Sequence, residues 1–145
     1  MALKIFKGIW FLSAAAFIFF FLYGYASLPE NVLLSDSIPV ISVSRDAFFY
    51  LFFTFVALLN ASVFAIPRLY AGNDLFITWF FGLIILLNCF FLVVAGFVSV
   101  FNSGENFNYE RLGLIIYGSL ILIFLWVASH PVYLFYQKIF HKQKV

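Results

Sequence analysis

Charge is what this 145-residue sequence has least of: eight Lys and Arg and six Asp and Glu make up 10% of the chain. Soluble domains carry about 25% charged residues, so a soluble enzyme or binding domain is excluded, and 66% hydrophobic residues exclude a disordered chain. The single cysteine, Cys89, allows neither a disulfide framework nor a CxxC redox pair, which rules out thiol chemistry of the vitamin K epoxide reductase type. There are two histidines, His130 and His141, eleven residues apart with Pro131 between them. They cannot clasp one haem from opposite sides within one chain. Walker A, GxGxxG, HExxH and GxSxG signatures are missing, and no basic stripe supports nucleic-acid binding. Asn60-Ala61-Ser62 matches a glycosylation sequon, but at membrane depth it is out of reach of the modifying enzyme.

What the sequence does contain is long uncharged stretches. Charges are missing from 8–29, 47–67, 75–104 and 112–137, runs of 22, 21, 30 and 26 residues. A helix rising ~1.5 Å per residue needs about 20 residues to cross ~30 Å of hydrocarbon, so each run suffices for one crossing and none for two. Barrel strands would be about ten residues of alternating polarity, and nothing here alternates over that length. The spacing predicts an all-α integral membrane protein, a bundle of four helices at about 6–27, 46–66, 75–101 and 111–136. Lys4, Lys7, an apolar stretch and the small pair Gly24 and Ala26 resemble a secretory signal, but the stretch is long for a signal core and reads as an anchor.

Local residues explain the boundaries. Pro29 follows the first helix and Pro67 ends the second; Ser44 or Asp46 can cap the second, Asn73 or Asp74 the third, and Asn106 or Asn108 the fourth. Pro131 inside the last segment predicts a kink or an early end. Lys and Arg distribution sets orientation. With the N-terminus inside, six basic residues (Lys4, Lys7, Arg68, Lys138, Lys142, Lys144) are cytoplasmic against two outside, Arg45 and Arg111. Both termini are therefore expected in the cytoplasm, with 138–145 as a basic tail and 28–45 as an external loop. The β-branched, hydroxyl-rich second half of that loop, residues 37–44, favours an extended path, read as a plain connector in preference to a strand lent to a partner.

No Asp, Glu, Lys or Arg lies within the four runs, which argues against proton-coupled transport. Cys89 reads as a small packing residue. Thr54, Ala57, Ala61 and Ala65 fall on one face of the second helix, and small residues at this spacing let a neighbouring backbone approach closely, so this face is expected to be buried in protein. An amide in hydrocarbon needs a partner. Depth counting pairs Asn60 with Ser13 and Asn88 with Thr54. Twenty-three phenylalanines are too many for one small interior, so many rings must face lipid or another subunit.

These features predict a non-catalytic accessory or scaffold subunit of a larger inner-membrane assembly, bacterial in view of its compactness. Its partners would be the lipid bilayer and other membrane subunits or a second copy, with no cofactor, catalytic set or metal. The competing expectation is a small carrier or a lipid- or quinone-binding protein with a cavity near Asn60, Asn88, Tyr117 and His130.

Overall fold

The computed structural model describes residues 1–35, 40–104 and 109–140, with the side chains of 109–112 left aside. The order is α1 (Ala2–Ser27), β1 (Asn31–Ser35), β2 (Ile41–Ser44), α2 (Arg45–Leu69), α3 (Asp74–Phe101) and α4 (Tyr109–Phe140). All four helices are long and apolar enough to cross a membrane. They run up and down, so α1 and α3 start, and α2 and α4 finish, at what is here termed the terminal end. The hairpin β1–β2 marks the other end.

Caps and prolines act largely as their chemistry dictates. Leu28, held extended by Pro29 behind it (φ −74°, ψ 143°), stops α1. The Ser44 hydroxyl accepts from the Ala47 amide (3.3 Å), and the Asn73 carboxamide accepts from the Phe76 amide (3.0 Å). Gly72, at φ 94°, supplies the left-handed residue of the tight α2–α3 turn. Asn106 and Asn108 lie outside the described residues. Pro67 does not end its helix, contrary to the expected boundary, since α2 continues to Leu69. At Pro131, of the kink or early end expected, the early end is not taken, since α4 continues to Phe140. A proline removes one amide donor, whereas breaking the helix in an apolar setting would orphan several backbone groups.

The arrangement is not four equivalent helices around one core. α3 is the hub: it packs most extensively on α1, then on α4, and also on α2. Buried residues form successive clusters along it. Val63, Ile77, Phe81 and Ile84 fill the terminal end; Phe17, Phe21, Val56 and Ala95 fill the middle; Leu28, Val32 and Val98 fill the hairpin end. Phenylalanines from α1 and α2 interleave in the middle cluster, with Phe21 stacked on Phe49 at 5.2 Å. The α4 backbone runs close to that of α3 alone, with Phe6 of α1 reaching Trp126 through its side chain, and none of the described residues of α4 is buried.

The external loop is more ordered than a connector. Ile41–Ser44, within the stretch expected to be extended, pairs antiparallel with Asn31–Ser35, a strand the sequence reading missed. Residues 36–39 lie outside the described set. Val32 is fully buried beside Leu28, Val43, Phe48 and Val98. The Asn102 carboxamide accepts from the Leu33 amide (2.8 Å) and donates to the Leu33 carbonyl (3.0 Å), doing for the edge of β1 what another strand would do. The hairpin is thereby fastened to the end of α3.

Candidate functional site

Two polar arrangements lie within the helices. The first joins α1, α2 and α3. Asn60 and Asn88 exchange hydrogen bonds through their carboxamides, Asn60 Nδ2 donating to Asn88 Oδ1 (2.8 Å) and Asn88 Nδ2 to Asn60 Oδ1 (3.0 Å). The second hydrogen of each amide is also used. Asn60 donates to the Val56 carbonyl (2.9 Å) and Asn88 to the Ser13 hydroxyl (3.1 Å). Ser13 in turn donates to the Trp10 carbonyl (2.8 Å), and the Trp10 indole donates to Asn60 Oδ1 (2.9 Å). All donor protons of these four side chains are thus spent inside the cluster, and Asn88 is only 1% exposed. A network so closed binds helices together and offers nothing to a passing solute.

Ser13, Asn60 and Asn88 therefore converge, as expected of polar groups in an apolar chain, but with a different pairing. Ser13 meets Asn88, and Asn88 meets Asn60. Thr54 is exposed and takes no part in the cluster, so the expected Asn88–Thr54 contact is corrected. Depth counting assumed that all helix ends lie level. Asn88 is fourteen residues from the start of α3 and Asn60 nine from the end of α2, so their contact requires a tilt or an offset of about 8 Å between those ends.

The second arrangement joins α3 to α4. The Trp79 indole donates to the Trp126 carbonyl (2.8 Å) and the Trp126 indole to the Trp79 carbonyl (3.0 Å), a reciprocal clasp that satisfies two N–H groups costly to leave bare in hydrocarbon. Gly82 makes it possible: a Cβ there would run into the Trp126 indole and reach the Phe6 ring. Phe6 of α1 stacks on Trp126 at 6.3 Å. Beside the clasp opens a groove of about 340 Å³, lined among others by Phe6, Trp79, Trp126, Ser129, His130 and Tyr133. His130 lies against the rings of Trp79 (4.9 Å) and Phe76 (5.2 Å). The Ser129 hydroxyl donates to the Trp126 carbonyl (2.6 Å), leaving the groove mainly aromatic.

The cavity expected around Asn60, Asn88, Tyr117 and His130 is not assembled. The asparagines are locked in the core, His130 lines the separate groove on α4, and Tyr117, 68% exposed, lies thirteen residues before His130, about 20 Å up α4. The stripe Thr54, Ala57, Ala61 and Ala65 is exposed, so no helix of this chain buries it, contrary to the expectation as far as the single chain goes. Cys89 is likewise exposed, which corrects its reading as a packing residue within the chain. Sequence reasoning missed the Trp79–Trp126 clasp, Gly82 and Asn102. The signal for the clasp was present: an indole N–H at depth needs an acceptor as much as an amide does. Among the described residues no group of three or more His, Cys, Asp or Glu is placed to hold a metal ion. No protein-family model, curated protein or solved structure matches the chain.

Proposed function

We propose that the chain is a non-catalytic accessory or scaffold subunit of a larger assembly in a bacterial inner membrane, with both termini cytoplasmic, acting through helix packing. One observation carries this reading: the polar groups of the core are consumed within the chain, while the small-residue face of α2 stays uncovered by it. In lipid, close backbone approach at small residues is a main source of helix association, so an open face of this kind suits a helix from another subunit. The distribution of Lys and Arg along the sequence, six against two, supports the orientation.

The test is purification of the tagged full chain in mild detergent, with co-purifying proteins identified by mass spectrometry. A stoichiometric membrane partner is expected, and Ala61→Leu, which fills the open face without touching the core, should lower its recovery at least tenfold. A monomer recovered alone with bound solute would overturn the reading. The groove beside His130 favours the second reading, a protein that binds a small lipid or quinone, because aromatic walls with few polar groups are how such pockets are built.

A further inference from the structure

We propose that a second groove at the terminal end, between α1, α2 and α3, is a binding site for one anionic phospholipid, its acyl chain against aromatic rings and its phosphate at Lys7. The groove measures about 190 Å³ and is lined by Lys7, Trp10, Val63, Phe64, Pro67 and Phe81. It lies between helices of spanning length, where the medium that fills a surface groove is lipid. Its wall is rigid. Trp10 stands edge-on to Phe64 (5.8 Å) and to Phe81 (5.7 Å), and the bond from its indole to Asn60 fixes it in place.

The cation at the groove selects the head group. Lys7 Nζ sits 5.9 Å from the centre of the Phe81 ring and, among the described residues, forms no salt bridge. Its alkyl stem can cover apolar surface while the ammonium reaches the lipid phosphate level. No carboxylate lines the groove. Lys4, one turn earlier on α1, and Arg68, next to Pro67 on α2, place further positive charge on two of the framing helices. Each basic residue near the surface raises affinity for an anionic lipid about fivefold. The site needs a spanning chain and stands whether or not that chain has protein partners.

The full chain is reconstituted in vesicles of equimolar phosphatidylglycerol and phosphatidylcholine, extracted in mild detergent, and its retained phospholipid measured by mass spectrometry. Phosphatidylglycerol should be enriched on the wild type. The enrichment should fall about fivefold in Lys7→Gln, return in Lys7→Arg and stay unchanged in Lys138→Gln, a control on the terminal turn of α4. Phe64→Ala, which opens the wall, should lower retention of both lipids. No preference in the wild type, an unchanged Lys7→Gln, or an equal fall in Lys138→Gln overturns the proposal. Displacement by excess inorganic phosphate overturns it too, since the site would then take a free anion.

Discussion

α3 and α4 are both long apolar helices, yet they hold opposite places in the molecule. α3 buries Ile77, Phe81, Gly82, Ile84, Asn88, Ala95 and Val98, whereas α4 has no buried residue among those described. Their mean hydropathies, 2.7 and 1.9 over the most apolar stretch, do not foretell this. Lipid tails are as apolar as leucine, so a residue facing lipid and one facing a neighbour can be the same residue. What separates the two helices is where directional bonds and small residues fall. α3 carries Asn88 toward α1 and α2, Gly82 and Trp79 toward α4, and Asn102 toward the hairpin. α4 answers with one clasp near a single end.

If this contrast is correct, α3 should be far more sensitive to substitution than α4, and sensitive in separable ways. The largest effect is expected from Asn88→Leu. It removes both bonds of the carboxamide exchange and the contact with Ser13, and it leaves one Asn60 amide proton unpaired, while Asn60 keeps its bonds to the Val56 carbonyl and the Trp10 indole. At ~0.6 to 2 kcal/mol per interhelical bond, a loss of about 3 kcal/mol is expected, read by reversible unfolding in mixed micelles. A loss under about 1 kcal/mol would mean that α3 is not held as described.

Gly82→Leu should be smaller and confined to the other side of the hub. The added side chain expels the Trp126 ring, costing about 1 to 3 kcal/mol of overpacking and freeing α4. The indole emission of Trp126 and Trp79 should shift, while amide exchange at the Asn60–Asn88 level remains slow. If exchange there quickened equally, α4 would be part of the core. The smallest effect is expected from Asn102→Ala, which loses two bonds to Leu33 at an exposed edge and one to the Val98 carbonyl of its own helix, about 1 kcal/mol. The Leu33 amide should then exchange faster, with little change elsewhere.

Much of the scaffold was legible in the charges. Four uncharged runs correspond to four helices, and Ser44 and Asn73 cap them as side-chain chemistry suggests. Ser13, Asn60 and Asn88 could be picked out because polar groups in hydrocarbon must find partners. Their pairing could not, since depth counting ignores tilt and offset. The rank of α3 was hidden by the equivalence of lipid and core. β1 was missed because Asn31–Ser35 has no alternation of its own, its single buried residue being Val32. Asn102 lies just past the expected end of the third helix, and only the folded chain shows which strand its amide faces.

The closeness of α1 to α3 also bears on how the molecule is made. The α1 and α2 backbones are kept apart by interleaved phenylalanine rings, whereas α1 and α3 approach closely past Ala95 and Gly96. Synthesis delivers α1 and α2 first, so α1 must wait in the bilayer until its main partner emerges, tethered to α2 meanwhile by the hairpin. That long-range pair can close only after α3 has entered, so assembly of the chain is expected to depend on the order of insertion as well as on the final packing.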